Sequence, residues 1–354
     1  MTFNDMVASP SGWLNGTGTE SAVVLSTRLR LARNLESVPF PPRARKEQLV
    51  AVMHRTSTAL GHLGSLAGAE FFDMTNLGAV EKAFLMERHL ISRDLQQGAR
   101  VRGVVVGVGE ELSVMVNEED HFRVQAIESG FQLARAWEKI SRLDDEMAHE
   151  LDYAFRPDMG YLTACPTNVG TGMRASVLIH LPSLVLTKQA KKVLQGVNAV
   201  GLAVRGFYGE GTEVMGNFFQ VSNQATLGRS EMEILESLER VTRQLIEYEN
   251  RAREAMLKSA RVQVEDKVWR AYGTLRYCRS ISSQEVISLG SAVRFGLAMG
   301  LEGVCDTRTL NEIMVYAQPA HIQQMAGREM NPGERNVVRA DYIRRRLDST
   351  VSLN

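Results

Sequence analysis

A short stretch that begins at Cys165 combines a thiol with turn-forming residues and an arginine. Pro166 disfavours helical backbone at the residue before it, so the thiol is predicted on extended chain just before a turn. Gly170 and Gly172 let the main chain approach a ligand closely, and Arg174 offers a planar fork of donors that suits a phosphate. Intracellular cysteines are also commonly small buried apolar residues, so both interpretations stay open for the stretch alone.

Two more arginines lie on a predicted strand, residues 23–31. Arg28 and Arg30 share one face and stand about 7 Å apart at a rise of ~3.3 Å per residue, which can straddle a di- or triphosphate. By itself this face could also be an ordinary solvated strand surface. The apolar face of the alternation is predicted to hold Val23, Leu25, Thr27, Leu29 and Leu31.

An acidic segment follows a hairpin predicted at 101–108 and 112–116. Asn117 can cap a helix, and acids next to it suit the positive helix N-terminus, so a helix is expected from here to about Leu143. Its apolar stripe would be Val124, Ile127, Phe131, Leu133 and Trp137. The alternative is a place that holds a cation and a phosphate together, built from Glu118, Glu119, Asp120, His121 and Arg123.

A third segment of interest is a glycine-rich loop. Glycines 206, 209 and 211 mark it, and Arg205 and Glu210 are the charged groups it carries. Such a loop can close over a ligand, although an ordinary glycine-rich hairpin has the same pattern.

The remaining chain indicates two domains. Residues 1–20 are typical of a loosely held arm, and helices are predicted at 44–66, 78–97 and 183–198. A capping box at Ser230 opens a long helix. Beyond about residue 258 strand patterns fade and caps repeat, so we expect a catalytic domain at 1–258 and an all-helical domain at 259–354. The further cap signals begin at Ser282, Thr309 and Asn331.

The bulk composition excludes several classes of protein. Lys plus Arg and Asp plus Glu both number 41, so no net charge draws the chain to nucleic acid or to an anionic membrane. No P-loop motif occurs, and the three cysteines are spaced for neither a disulfide framework nor a zinc site. No apolar run approaches the length of a membrane span. We expect a cytoplasmic protein.

Taken together, the segments resemble the phosphagen (guanidino) kinases, in order and in spacing, over roughly residues 20–258. That resemblance implies an α+β fold: a catalytic domain with an antiparallel sheet flanked by helices, followed here by the helical domain. The matching segments are Ser26–Arg30, Asn117–Arg123, Cys165–Ser176 and Arg205–Glu213.

The resemblance also assigns roles. Glu119 would be the base that accepts a proton from the acceptor guanidinium, with Glu210 as a second clamp and Cys165 as a thiolate that orients the guanidinium. His89 would lie near the adenine of ATP. Mg²⁺ would be held by phosphates and water, with no protein metal ligands. The arginines that would clamp the phosphates are Arg28, Arg30, Arg123, Arg174 and Arg205.

Within that family the chain is most similar to the bacterial branch that phosphorylates arginine side chains of proteins. Other phosphagen kinases carry a helical domain before the catalytic one, and a phosphate-binding strand that begins at residue 23 leaves no room for it. In that branch the C-terminal domain dimerises and binds phosphoarginine through an Arg-Asp-x-x-Arg-Ala motif. Here Arg335, Asn336 and Arg339 occupy those positions, with an amide in place of the acid. A basic solvated helix face remains the alternative.

The predicted function is therefore ATP-dependent phosphorylation of arginine in protein substrates, which would mark them for a Clp-type protease during stress response and protein quality control. An activator protein and a homodimer are further expectations. The alternatives are a kinase of free arginine or another small guanidino compound, and a phosphoarginine-binding adaptor. Gln220 departs from the acid that phosphagen kinases carry there, which could alter how the closed loop is held.

Overall fold

The computed structural model describes residues 3–98, 100–206 and 215–351. Its centre is one eight-stranded sheet with the order β2-β3-β4-β5-β1-β8-β10-β9, and every neighbouring pair is antiparallel. A separate two-stranded hairpin is formed by β6 and β7. The strands are β1 (Val24–Arg33), β2 (Glu70–Asp73), β3 (Gly103–Val106), β4 (Leu112–Val116), β5 (Phe122–Ser129), β6 (Phe155–Arg156), β7 (Gly160–Tyr161), β8 (Met173–His180), β9 (Leu202–Gly206) and β10 (Phe218–Asn223).

Helices flank this sheet and then continue alone to the C-terminus. The α-helices are α1 (Phe3–Ala8), α2 (Lys46–Leu60), α3 (Ala79–Glu87), α4 (Arg93–Gln97), α5 (Leu133–Glu150), α6 (Pro182–Leu186), α7 (Ala190–Ala199), α8 (Glu231–Tyr277), α9 (Ser283–Ala298), α10 (Thr307–Tyr316), α11 (Pro319–Ala326) and α12 (Pro332–Val351). The antiparallel sheet and the helical C-terminal region confirm the predicted fold class. In the ranges that the structure describes, no helix is both long and apolar enough to cross a membrane.

The main core lies between one face of the sheet and the helices α2, α5, α6, α7 and the first part of α8. Leu29 and Leu31 of β1 belong to it, as the alternation predicts. Leu25 does not, because a bulge between Val24 and Ser26 adds one residue to the strand. Leu25 instead packs in a second apolar cluster that also contains residues of the C-terminal helices.

The helix predicted from Asn117 is wrong, because residues 122–129 form the strand β5. Buried side chains on both faces of this strand hide the alternation that marks an ordinary strand, and the spacing of its apolar residues mimics a helix. Asn117 has a left-handed φ of 57° and turns the chain between β4 and β5. The helix that follows is α5, which begins at Leu133.

The N-terminal arm is bound to the rest of the protein, contrary to the prediction of a loose segment. Trp13 and Leu14 are fully buried in the second apolar cluster. The backbone N–H of Ser11 donates to the Tyr316 hydroxyl over 2.6 Å, and the Asn311 amide donates to the Leu14 carbonyl over 3.1 Å. The polar composition of the arm suggests a loose segment. These contacts join the arm to helices far away in sequence, which local composition does not indicate.

The helix α8 passes through the predicted domain boundary at residues 258–259. Ser230 caps it as expected, and Ala260 interrupts it with φ −145° and ψ 33°. Ser282 and Asn331 also cap helices, as their patterns predict. Thr309 does not, because the side chain of Asp306 caps α10 by accepting the Thr309 N–H at 2.8 Å.

Candidate functional site

The five arginines assigned to phosphate binding come from four strands and lie on one face of the sheet. Arg30 of β1 is directly opposite Arg174 of β8 and opposite Gln125 of β5. Arg123 is two residues from Gln125, which places it on the same face. Arg205 of β9 is opposite Gln220 of β10, and Gln220 is opposite Leu178 of β8. Leu178 is four residues from Arg174, so Arg205 lies on the same face as Arg174. The fifth, Arg28, precedes Arg30 by two residues.

A cavity of about 280 Å³ opens over this face. Its wall brings together predicted residues from segments far apart in sequence, and it also includes Gln220 and Ser222. The predicted site residues that line it are Arg30, Glu119, Arg123, Cys165, Arg174 and Arg205. Glu210, the predicted second clamp, lies outside the described residues.

The arginines repel one another, and the site compensates only part of their charge. Burial, together with repulsion from Arg123 and Arg174, lowers the pKa of Arg28 to about 10. The pKa of Arg30 falls well below its ordinary value, mainly from burial and then from Arg28. In the part of the chain that the structure describes, the buried Nε of Arg30 has no hydrogen-bond partner. A cluster of like charges with an unpaired buried donor suits a polyanionic ligand.

Arg28 and His89 lie in a small adjoining cleft, which also contains Gln220. The predicted helix over 78–97 is interrupted here, because α3 ends at Glu87 and His89 takes a left-handed φ of 62°. The His89 ring lies against the Trp13 ring, with centroids 5.2 Å apart. Burial and the nearby Arg28 lower the pKa of His89 to about 3, so the imidazole is neutral at neutral pH.

Two carboxylates meet Arg123 at the cavity edge. Glu118 is buried and pairs with Arg123 over 2.8 Å, and it also accepts a hydrogen bond from the Ser92 hydroxyl. Glu119 is more open, with its side chain 41% exposed and its carboxylate 3.3 Å from Arg123. Burial raises the pKa of Glu119, Arg123 opposes that rise, and the neighbouring acids add to it. A partly exposed carboxylate with a raised pKa is suited to proton transfer.

Cys165 also lines the cavity. It has extended backbone, φ −96° and ψ 122°, and the turn Pro166–Asn168 follows it, as Pro166 predicts. Its Sγ lies 3.0 Å from the Thr167 hydroxyl, and the residue is partly exposed. The cysteine is therefore not a buried apolar residue.

The glycines of this stretch allow close packing within the protein, and Gly172 also lines the cavity. A Cβ on Gly170 would lie 2.5 Å from the Thr226 carbonyl oxygen. A Cβ on Gly172 would lie 2.6 Å from the Ala32 carbonyl oxygen on β1. Both glycines have positive φ, so any larger residue would push β8 away from its neighbours.

Sequence reasoning missed Asn34, which lies just past the end of β1 and is 1% exposed. Its amide nitrogen donates to Asp120 Oδ1 over 2.6 Å, and its oxygen accepts the His121 N–H over 2.8 Å. A lone asparagine after a strand carries no sequence signal of such contacts. Asp120 and His121 are thus both buried and hydrogen-bonded to Asn34. Across the described ranges, no group of three or more His, Cys, Asp or Glu side chains is placed to hold a metal ion.

The predicted phosphoarginine residues lie elsewhere, on α12. Arg339 is 1% exposed, and its guanidinium donates to the Ala317 and Ile281 carbonyls over 2.6 and 2.9 Å. It also donates to Asn336 Oδ1 over 2.6 Å. Arg335 is partly exposed and donates to the Met330 carbonyl over 2.7 Å. Arg339 and Asn336 therefore pair with each other inside the helical region.

Comparison with known proteins matches each part of the chain to a family model. Residues 51–252 match the model of the ATP:guanido phosphotransferase C-terminal catalytic domain, and residues 261–354 match that of the protein-arginine kinase McsB C-terminal domain. Among solved structures, the substrate-free duplicated taurocyamine kinase from Schistosoma mansoni is 28% identical, with a TM-score of 0.57 over 70% of this chain and 36% of that one. A lombricine kinase is 24% identical, with a TM-score of 0.59 over 70% of this chain and 75% of that one, which shows the shared fold.

Full-length relatives are more similar. The protein-arginine kinase of Pelotomaculum thermopropionicum is 46% identical over 349 residues, which cover 98% of both chains. That of Bacillus subtilis is 44% identical over 339 residues, 95% of this chain and 93% of the relative. The chain therefore belongs to the ATP:guanido phosphotransferase family, in the branch formed by the protein-arginine kinases.

Proposed function

We propose that this enzyme transfers the γ-phosphoryl group of ATP to arginine side chains of proteins. The observation that supports this best is the arrangement of one cavity, which is lined by strand arginines together with Glu119 and Cys165. Phosphoryl transfer needs positioning and charge neutralisation more than covalent help from the protein. The cavity offers donors for a triphosphate together with a carboxylate for the acceptor.

The arginines would hold the nucleotide. Arg28, Arg30, Arg123, Arg174 and Arg205 present planar forks to the phosphate oxygens and offset the charge of the group in transfer. A donor set dominated by guanidiniums repels a bare cation, so Mg²⁺ fits here as the ATP complex, held by phosphate oxygens and water. His89 is neutral, which suits it to lie beside the uncharged adenine.

The acceptor arginine must lose a proton before it can attack, because its pKa lies above ~12. Glu119 would accept that proton from the attacking nitrogen as the N–P bond forms and the bond from the γ-phosphorus to the bridging oxygen breaks. ADP then leaves with the electron pair on that oxygen. Cys165 and Glu210 would orient the guanidinium so that the attacking nitrogen is in line.

Further roles rest on the family rather than on this geometry. We propose that the helical C-terminal region forms a homodimer and binds phosphoarginine through Arg335, Asn336 and Arg339. The cytoplasm would be the site of action, and a Clp-type ATPase and protease would remove the marked proteins under stress. An activator protein would fit the same system.

One assay separates the candidate activities. The enzyme is incubated with ATP and Mg²⁺, an unfolded arginine-rich protein and free arginine, and acid-labile phosphate is followed on each acceptor. Label on the protein supports the proposal, and label on free arginine alone supports a metabolite kinase. No label on either acceptor, with retained binding of phosphoarginine, supports an adaptor. In the same assay, Glu119→Gln is expected to abolish transfer while ATP binding stays nearly intact, and equal loss of both would contradict its role as the base.

A further inference from the structure

A pair of buried polar side chains, Asp120 and Asn34, connects the two chain segments that carry Glu119 and Cys165. Asp120 Oδ1 accepts the backbone N–H of Ala164 over 2.7 Å and the Asn34 amide over 2.6 Å. Ala164 immediately precedes Cys165, and Asp120 immediately follows Glu119. Asp120 is 1% exposed and does not line the cavity itself.

Asn34 extends these contacts to a third segment. Its side-chain amide nitrogen also donates to the Leu162 carbonyl over 3.1 Å, and its backbone carbonyl accepts the Ala154 N–H over 2.7 Å. Its side-chain oxygen holds the His121 N–H. The end of β1, the turn before β5 and the chain that leads into Cys165 therefore share one set of hydrogen bonds.

We propose that Asp120, supported by Asn34, is a positioning residue that fixes the distance between the Glu119 carboxylate and the Cys165 thiol. This inference rests on the proposed roles of those two side chains at the acceptor guanidinium. Because Oδ1 of Asp120 accepts both N–H groups, it fixes the segment that carries Glu119 against the backbone that leads into Cys165.

Burial of the Asp120 carboxylate is energetically unfavourable, which indicates that the residue is kept for its hydrogen bonds. Among the described residues, Asp120 Oδ2 is buried without a hydrogen-bond partner. Burial is also the main reason that the pKa of Asp120 is raised. A buried carboxylate oxygen without a partner destabilises the fold. The hydrogen bonds of the other oxygen hold the segments next to Glu119 and Cys165, the two side chains that would meet the acceptor.

The test compares Asp120→Ala with Asp120→Asn in the full-length protein. Asp120→Ala removes both hydrogen bonds, and we expect kcat for transfer to a protein substrate to fall about 10²-fold, the effect of a displacement of about 1 Å. ATP affinity should not change, because no phosphate contact is lost. Asp120→Asn keeps an acceptor at Oδ1 and is expected to retain most of the activity.

A second readout does not depend on catalysis. The rate at which iodoacetamide alkylates Cys165 is followed by peptide mapping, with the partly exposed Cys278 as an internal reference. Asp120→Ala should change the rate at Cys165 and leave the rate at Cys278 as it is.

Glu249→Ala is the matched control. Glu249 is also a buried carboxylate that accepts two N–H groups, those of Ser183 and Leu184 over 2.8 and 3.1 Å, but it lies away from the cavity. It should lower thermal stability as Asp120→Ala does, yet leave kcat and Cys165 alkylation unchanged below the unfolding temperature.

Four outcomes would overturn the inference: an unchanged kcat in Asp120→Ala, an unchanged rate of Cys165 alkylation in that variant, an equal loss of kcat in the Glu249→Ala control, or an Asp120→Asn variant as inactive as Asp120→Ala. A failure of the proposed function would look different. The wild type would then transfer no phosphate to protein. Altered alkylation of Cys165 in Asp120→Ala would still support the link between the Glu119 and Cys165 segments, and unaltered alkylation would refute it.

Discussion

Arg30 and Arg174 face each other directly across β1 and β8, so two guanidiniums stand side by side on the same face of the sheet. Like charges in this arrangement destabilise a sheet. Arg174 has one hydrogen bond to a side chain in the described ranges, to the Ser222 hydroxyl at 3.1 Å, and burial with repulsion from Arg205 and Arg123 lowers its pKa. The free enzyme therefore carries electrostatic stress that a triphosphate would relieve.

Removing the charge of Arg30 should make the nucleotide-free protein more stable and weaken its binding of ATP. Arg30→Gln is expected to stabilise the nucleotide-free protein by about 0.2–1 kcal/mol, because one repulsive pair disappears. The same change should weaken ATP binding by roughly 10- to 100-fold, the value of about 1.5–3 kcal/mol for a hydrogen bond to a charged group. Thermal unfolding and isothermal titration measure the two effects.

Arg270→Gln is the control for that experiment, because Arg270 is an exposed residue of α8 paired with Asp266. It should leave ATP affinity unchanged. A loss of stability in Arg30→Gln without nucleotide would contradict the repulsion argument.

The acid limb of the pH profile should report Glu119. A base works only when deprotonated, so the rate rises with pH through its pKa, and burial raises that pKa above the ordinary glutamate value of about 4.3. We expect kcat/KM for protein phosphorylation to fall as pH is lowered while ordinary glutamates are still ionised. A rate that stayed constant down to pH ~4.3 would contradict the assignment.

Acid should also weaken the fold through His121. Burial lowers the pKa of His121 to about 4, whereas an unfolded histidine titrates near 6.5. The unfolded state therefore binds more protons between these values, and stability is complete above pH ~6.5 and declines as pH falls towards ~4. His121→Gln should flatten that decline by about 1.4 kcal/mol per pH unit in urea unfolding. An identical slope in wild type and variant would contradict this.

The two arginines of α12 should differ in their effect on stability. Arg339→Ala leaves the buried carbonyls of Ala317 and Ile281 unpaired, at about 1–3 kcal/mol each. Arg335→Ala removes a partly exposed side chain and should change stability by about 0.5 kcal/mol or less. Thermal unfolding of both variants checks this. Equal stabilities of the two variants would contradict a structural role for Arg339. Because Arg339→Ala is expected to destabilise the fold, phosphoarginine binding is better tested with Arg335→Ala.

Several features of the site follow from the sequence alone. Alternation on β1 places Arg28 and Arg30 on one face, because side chains of a strand alternate at every residue. Pro166 similarly fixes the extended backbone at Cys165. The order and spacing of the four matching segments are enough to indicate the family and the α+β fold, since those segments carry the residues that the resemblance assigns to the reaction.

The tertiary structure alone decided the rest. β5 is buried on both faces, so its pattern predicts a helix, and only its pairing with β1 and β4 makes it a strand that carries Arg123 into the cavity. The contacts of Asp120 with Asn34 and Ala164 join segments far apart in the chain, and local patterns contain no information about such pairs. Long-range hydrogen bonds of this kind are set by how the sheet aligns its strands, which a sequence read in order does not reveal.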